Sequence, residues 1–510
     1  MRSYVTTPIY YVNAAPHIGH AHTSIMADIL KRNRQAAGFE TKMTTGCDEH
    51  GQKNQAAAIA SGLSASDYLD MRSSEFRRLF DTLNVGYDFF VRTSRPFHME
   101  QVALIEQRLM DAGLIVKKQY TGIYCAGCEQ FKKPSDLDEH GRCPDHPTLI
   151  PEELDELNYF FKIEPFRQRL IDHVNDNPEF ISPPSFRSQL LNMLSDPLED
   201  LCISRPVRRV SLGVRLPFDD EYVTYVWFDA LINYLTNLGW PKPGYELWWD
   251  TAEHLIGKDI LKTHGVYWPI MLMALGEKPP KQLSVHGHWL GTGGLKMSKT
   301  LGNVVDPFEV VSLLGSDALR YYLARNMRSD SDSMISIELI RQTYNSELGN
   351  RIGNLFSRAG KFAKARFEDR IPARGDLTAD DERVRLAALD AARGFAKPFE
   401  MYELPRVTQA VVTACDMLNN YFAEQAPWDL IKKPETAPRC ATVIYVTLDA
   451  LRLVLEGVRQ IIPTAADKAL ATLGCPFEAS VGTPWVPQLD RLPAGREMVE
   501  IESLFPRVDA

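Results

Sequence analysis

The stretch Val5-Thr6-Thr7-Pro8-Ile9-Tyr10-Tyr11-Val12-Asn13-Ala14-Ala15-Pro16-His17-Ile18-Gly19-His20 decides the reading of this chain. Val5 to Val12 is β-branched and aromatic, which predicts a strand. The run breaks at Asn13 to Pro16. From about Gly19 to Ala37 the pattern is that of an amphipathic helix, closed by Gly38. Thr41 to Thr45 predicts a second strand, followed by Asp48-Glu49-His50-Gly51 and a helix over Gln52 to Ala60. Strand, helix, strand, helix argues for a parallel α/β sheet. On such sheets ligands sit at the carboxyl ends of the strands.

Composition agrees with a folded α/β protein. Of 510 residues, 45% are hydrophobic and 24% charged, which excludes a disordered chain, a collagen-like fibre and a coiled coil. The net charge of −9 means that any nucleic-acid partner is met by a local patch. Eight cysteines are too sparse for a disulfide-stapled secreted fold. Met1 to Asn13 reads as a strand, not a signal peptide. The longest greasy run, Trp268 to Leu275, is far short of the ~18 residues needed to span a bilayer. The expectation is a cytoplasmic protein with no membrane partner.

The α/β regularity stops near Gly113. Residues 116–225, with the Pro-rich Ser182-Pro183-Pro184, read as an insertion between sheet halves at 1–115 and 226–290. Residues 291–345 read as a loop and linking region that begins with Gly291-Thr292-Gly293-Gly294. From 346 to 510 helical periodicity dominates, at Leu348, Ile352 and Leu355, then Val407 to Leu418 and Ala441 to Ile462. A helical bundle is expected there, with the Pro-rich last forty residues wrapping its surface.

Three clusters carry chemistry. Pro16-His17-Ile18-Gly19-His20 opens a helix just after a strand. A helix start offers unpaired amide N–H groups and a positive dipole end, a ready anion site. Gly19 leaves room for a flat ligand, and two histidines three apart share a face and donate to phosphate oxygens. Lys296-Met297-Ser298-Lys299-Thr300 follows a glycine loop, so two lysines can close over a triphosphate. Cys125-x2-Cys128-x14-Cys143-x2-His146, within about 120–150, pairs two knuckles with the spacing of a closed, structural Zn²⁺ site, one per chain. His140 is a rival fourth ligand.

His17-Ile18-Gly19-His20 and Lys296-Met297-Ser298-Lys299-Thr300, in that order, resemble the HIGH and KMSKS signatures of class I aminoacyl-tRNA synthetases. Only Thr300 departs, and it keeps the hydroxyl. Pro8 to Asn13, Thr45 to Gly51, Tyr225 to Ala230 and His254 to Asp259, with His264 and Trp268, are similar to the methionyl-tRNA synthetases of the bacterial type with one zinc knuckle.

That resemblance implies a Rossmann-like catalytic domain split by a zinc-bearing connective insertion, and a helical anticodon-binding domain. It implies ATP with Mg²⁺ at His17, Gly19, His20, Lys296, Met297, Ser298 and Lys299. Of these, His17, His20, Lys296 and Lys299 are catalytic. It implies a methionine pocket of Ile9, Tyr11, Trp227, Leu231, Tyr234, His264 and Trp268, with Asp48 at the ammonium and Asp259 in the same site, either holding the ribose or orienting the pocket. Aromatic walls suit a thioether. Arg341 to Arg366 holds six cations against Glu347, a net +5 suited to phosphate contact. Within it Asn354 and Arg358 match the family's anticodon-reading helix, as does Trp428 further on. Edge hydrogen bonds and stacking are how unpaired bases are read. The implied partners are L-methionine and initiator and elongator tRNA(Met), and a monomer is expected. Three alternatives are weighed: a synthetase for leucine, isoleucine or valine, a catalytically silent RNA-binding relative, and a nucleotidylyltransferase. The last two do not need both lysine and histidine signatures together with the basic helical C-terminus.

Overall fold

The computed structural model describes residues 1–127, 130–144, 149–297, 303–328 and 330–508, with only the backbone at 130 and 135. At its centre is a six-stranded parallel sheet. In chain order its strands are β1 (Arg2–Tyr11), β2 (Glu40–Asp48), β3 (Phe89–Arg92), β4 (Ile181–Ser182), β5 (Ala252–Gly257) and β6 (Gln282–His286). Their order across the sheet is β3-β2-β1-β5-β6-β4. β1 pairs with β2 on one side (Tyr11 opposite Asp48) and with β5 on the other (Thr6 opposite His254). The winding reverses between β1 and β5, and such a switch point opens a ligand crevice at the carboxyl ends of both strands.

Helix α1 (Ile18–Ala36) follows β1. It ends as its sequence prescribes: Gly38 takes φ +81, and the N–H groups of Gly38 and Phe39 donate to Gln35 O and Arg34 O. The α/β order and the helical C-terminus match the sequence reading. One strand does not come from where the pattern points. β4 lies within residues 116–225 but pairs with β6 at the sheet edge (Leu283 opposite Ile181, Ser284 opposite Ser182). Two residues beside prolines are too short to show a period.

The rest of that segment forms its own sheet. A long hairpin of Ile115–Cys125 against Glu152–Phe161 is flanked by Gln130–Lys132 and Leu201–Cys202. A three-stranded sheet of Ser204–Pro206, Arg215–Leu216 and Asp219–Thr224 leads back into the helix Val226–Thr236.

Two hydrophobic cores result. One packs Ile105, Phe161, Leu231, Trp268 and Leu283. The other runs without interruption from Val5 and Ile25 through Leu319 to Leu355, Val411, Val443 and Leu470. The C-terminal helices Asn354–Arg366, Ala379–Gly394, Leu404–Gln425, Ala437–Val458 and Pro463–Thr472 therefore share a core with α1. The tail wraps them, as expected, with Trp485 N donating to Ala36 O, Met498 N to Asp369 O and Tyr344 Oη to Pro506 O.

Candidate active site

β1 delivers the chain to the crevice, and His17 becomes the N-cap of α1. Its Nδ1 accepts from Gly19 N–H at 3.1 Å, while His20 Nδ1 accepts from His17 N–H at 3.1 Å. Two imidazoles thus form the reciprocal box that a hydroxyl and a carboxylate usually make. Both Nδ1 atoms are spent as acceptors, so each ring carries its proton on Nε2. The rings stack at 3.7 Å between centroids, and Tyr10 and Phe76 flank His20 at 4.6 and 5.0 Å. Surrounding protein lowers the His17 pKa against the opposing charge of Asp259, and burial holds His20 well below the usual range. The pair is therefore neutral at pH 7 and offers two Nε2–H donors. A Cβ at Gly19 would meet His17 Cε1 at 3.0 Å, so the glycine also makes room for the capping ring.

The lysine-bearing stretch starts from β6 and is fixed to α1 at its root. His286 Nδ1–H donates to Gly287 O at 2.8 Å, leaving Nε2 to accept from Thr23 Oγ1 at 2.9 Å. Trp289 packs edge-on against His22 of α1, 5.4 Å between centroids. Gly293 and Gly294 turn the chain at φ +76 and +73, which other residues rarely adopt. Asn303 Nδ2 donates to Lys296 O at 3.4 Å and Met297 is half-buried against the core. The root of the lysine stretch thus packs against the first turns of α1. Ser298, Lys299 and Thr300 lie outside the described residues.

Asp259, just after β5, meets His288 Nε2 at 3.1 Å. The surrounding protein opposes its ionisation, but the His288 contact holds the pKa of this exposed carboxylate low. It lies in the electrostatic reach of His17, and its described partner is His288 rather than a ring of the aromatic pocket.

The aromatic residues expected to hold methionine form a hydrogen-bonded lattice. His264 Nδ1–H donates to Ile260 O at 3.0 Å and its Nε2 accepts from Tyr234 Oη at 2.9 Å. His254 Nε2 accepts from Trp268 Nε1 at 3.2 Å, so its Nδ1–H points to Thr6 Oγ1 at 2.7 Å. Tyr234 stacks on His254 at 4.2 Å, and Trp249 stands 5.9 Å from Trp268. Tyr11 and Trp227 meet edge to face at 6.0 Å, Ile9 is half-buried, and Leu231 is buried in the core. The structure brings Tyr234, His264 and Trp268 together as expected and adds His254 and Trp249.

Burial pushes the His264 pKa down to about 4, with Ile260 O and Asp259 opposing, and holds His254 well below normal. The unfolded chain takes up these protons near pH 6.5 and the folded one does not. Stability is therefore full above about pH 6.5 and falls as pH drops toward 4, His264 alone accounting for about 3 kcal/mol. Protonation also removes the acceptor for Tyr234. Thermal melts paired with methionine KM between about pH 7 and 4 check this; a melting temperature flat over that range contradicts it.

Beside the pocket Asp48 is buried and accepts from His50 N–H at 3.4 Å. Asp229, fully buried, takes His50 Nδ1–H on one oxygen and His98 Nε2–H on the other at 2.7 Å. Burial alone raises its pKa, but the two imidazoles bring it to about 2. The sequence reading assigned no role to Asp229, His50 or His98, because nothing in it shows that three segments meet.

A second site lies on the helical domain. Asn354 and Arg358 are exposed one turn apart. The Arg358 guanidinium stands 5.1 Å from the ring of Phe422 and 6.0 Å from that of Trp428, which is 40% exposed. Ala426 holds φ +40 ahead of Pro427 in the turn that presents Trp428. Phe422 was not foreseen. The cationic stretch is weaker than its net +5: Arg341 pairs with Glu338, Arg351 with Asp416 at 2.7 Å and Lys364 with Asp369.

Of the metal ligands expected, Cys125 and Cys143 are buried at the end of the hairpin, while Cys128 and His146 lie outside the described residues. His140 is exposed and faces Glu139. Among the described residues no three His, Cys, Asp or Glu side chains gather as for a metal.

Comparison with known proteins follows the same division. Residues 3–148 and 146–360 match the family model described as tRNA synthetases class I (M), and 371–510 match the anticodon binding domain of methionyl tRNA ligase. A methionine–tRNA ligase of Clostridium tetani is 39% identical over 99% of this chain and 78% of its own length. One from Thermosynechococcus vestitus is 36% identical over 99% and 97%. Mycobacterium tuberculosis methionyl-tRNA synthetase in complex with methionyl-adenylate superposes at a TM-score of 0.92, with 32% identity over 99% of this chain and 100% of that one. Its apo form gives 0.85. With family models matched over 3–360 and 371–510 and relatives aligned over 99% of its length, this chain belongs to the methionyl-tRNA synthetases of class I.

Proposed function

We propose that the chain joins L-methionine to tRNA(Met) in two steps. The methionine carboxylate attacks the α-phosphorus of ATP, forming methionyl-adenylate and releasing pyrophosphate. A terminal ribose hydroxyl of the tRNA then attacks the acyl carbon and AMP leaves. The observation that carries this is the junction of α1's first turns with the root of the lysine stretch, beside a hydrogen-bonded aromatic pocket. No side chain becomes a nucleophile; catalysis is positioning and charge neutralisation. His17 and His20 donate to phosphate oxygens as charge builds. Lys296 and Lys299 neutralise the triphosphate, which enters as its Mg²⁺ complex. Asp48 receives the ammonium as a charge-assisted partner, and Tyr11, Trp227, Tyr234, His264 and Trp268 enclose the thioether. Pyrophosphate exchange measured with each amino acid in turn tests the reading: exchange is expected with methionine, and equal exchange with leucine or isoleucine would refute it.

Asn354, Arg358 and Trp428 read the anticodon in this proposal. Trp428→Ala is expected to leave pyrophosphate exchange intact and lower tRNA(Met) charging by about 10- to 100-fold, from a lost stacking contact of ~1–3 kcal/mol. Unchanged charging kinetics would remove Trp428 from the anticodon site.

Cys125, Cys128, Cys143 and His146 have the donor chemistry of a structural Zn²⁺ site, and the two described thiols are buried as such a site requires. The ion's role there is to staple the hairpin end. Protein purified without added metal is expected to contain one zinc per chain, and its removal to loosen the hairpin. A zinc-free chain with an intact hairpin by hydrogen exchange argues against the staple. Among the described residues no helix is long and apolar enough to cross a membrane.

A further inference from the structure

Helix α1 carries the crevice histidines at its start, and the C-terminal helices hold it along the rest of its length. Asp28, about two turns beyond His20, is fully buried. Its Oδ2 accepts from Arg320 at 2.6 Å and from Arg32 at 2.7 Å, and its Oδ1 accepts from Gly86 N–H. Arg320 is also fully buried, and every nitrogen of its guanidinium is engaged. Nε donates to Ile461 O at 2.9 Å, one terminal nitrogen to Leu83 O at 3.2 Å, and the other to Gln460 O at 2.9 Å besides Asp28.

One turn further along α1, Asn33 and Arg34 donate to Glu400 at 2.9 and 3.3 Å. Arg34 also reaches Glu253 of β5 at 2.6 Å, which in turn accepts from Tyr402 Oη at 2.9 Å. At the end of α1, Ala36 O and Gly38 O accept from Trp485 N–H and Gly482 N–H.

Gln460 and Ile461 immediately follow the helix Ala437–Val458. That helix is about 33 Å long and buried from Thr442 to Val458. Near its start Cys440 Sγ donates to Pro427 O, in the turn that presents Trp428. A continuous rigid element thus connects the Trp428 turn to Arg320, Arg320 to Asp28, and Asp28 to the helix that begins with His17.

We propose that Arg320 is a positioning residue for adenylate formation. It fixes the rotation and height of α1, and so the two Nε2–H donors, by locking Asp28 to the end of Ala437–Val458. It touches no substrate. A lysine at 320 keeps the charge but cannot serve acceptors on three segments at once, so α1 is no longer held in a single place.

The inference rests on the reading of His17 and His20 as phosphate donors, and the experiment separates the two. Pyrophosphate exchange is measured in full-length wild type, Arg320→Lys and Asp317→Asn, each well below its own melting temperature. Asp317 caps the same interface through Thr464 N–H and Ala465 N–H, without a hydrogen bond to α1. Wild type without methionine-dependent exchange would refute the function itself. With an active wild type, Arg320→Lys is expected to lower kcat by about 10- to 100-fold, the range for misplacing catalytic groups by up to an ångström. Methionine KM is expected to hold, and Asp317→Asn to keep its kcat. Equal kcat losses in both variants, or none in Arg320→Lys, overturn the proposal. Should Arg320→Lys not fold, Glu400→Gln is read instead; its half-exposed partnership with Asn33 and Arg34 sets an expected kcat loss of about two- to fivefold. An unchanged kcat in that variant is then the overturning result.

Discussion

His20→Ala is expected to slow methionyl-adenylate formation by about 100- to 1,000-fold, the cost of removing one preorganised donor to developing charge. Methionine KM should change little, because the lattice of Tyr234, His264, His254 and Trp268, proposed to enclose the thioether, has no hydrogen bond to this ring. Two losses combine. The Nε2–H that faces the reaction disappears, and His17 N–H loses the Nδ1 that accepts from it at 3.1 Å. Its stacking partner gone, the His17 ring keeps its bond from Gly19 N–H but loses the support of one face. His20→Gln, which restores a side-chain acceptor for the His17 amide, should recover folding stability more than rate. Lys299→Ala is expected to fall in the same range, since it withdraws a full charge from the triphosphate. Pre-steady-state pyrophosphate release measures both variants directly. A His20→Ala enzyme within about tenfold of wild type would mean that the ring is only a helix cap.

Asp229→Asn is expected to cost about 3–5 kcal/mol of stability, the range for breaking a buried ionic partnership, and to raise methionine KM by about 10- to 100-fold through one charged hydrogen bond lost and the other weakened beside the proposed ammonium site. The carboxylate accepts from His50 on one oxygen and His98 on the other. An amide has one acceptor oxygen and turns its NH₂ against one of those two N–H groups. His50 is then released, and with it the amide that donates to Asp48 at 3.4 Å. The acid limb of stability should change as well. Asp229 titrates at about 2 in the fold against 3.8 as a free group, a depressed value. It therefore stabilises above about pH 4, and this contribution is lost as pH falls toward 2. In Asp229→Asn that part of the curve should flatten. Chemical denaturation at neutral pH and methionine titration of the exchange rate are the two measurements. Wild-type KM in a variant that has lost the stability would confine Asp229 to the core.

Much of this was legible in the sequence because it is local. A strand run, a helix period, Gly38 at a left-handed end and two short signatures each need only neighbours along the chain. The packing of the root of the Lys296 stretch against the first turns of α1 was legible only through the resemblance, since Thr23 and His286 are brought together by strand order. What stayed hidden is what the topology creates. Asp229 between His50 and His98 joins three segments, and a buried His is as readily core as function. His254 and Trp249 look like ordinary strand and helix residues until Trp268 donates across the lattice. β4 is too short for any period. For the cationic stretch, composition counts the charges and not the carboxylates of Glu338, Asp416 and Asp369 that pair with three of them.

The shared core has a practical outcome for anyone who would shorten this enzyme. The two family descriptions part company between 360 and 371, which invites a cut there to obtain a minimal catalytic fragment. Such a fragment would strip the apolar flank of α1 of Val443, Leu470 and their neighbours and orphan a buried guanidinium by deleting Gln460 and Ile461. The seam visible to evolution is not a seam in the folding unit. A severed amino-terminal piece is expected to aggregate or melt early, and supplying the missing half in trans should rescue it.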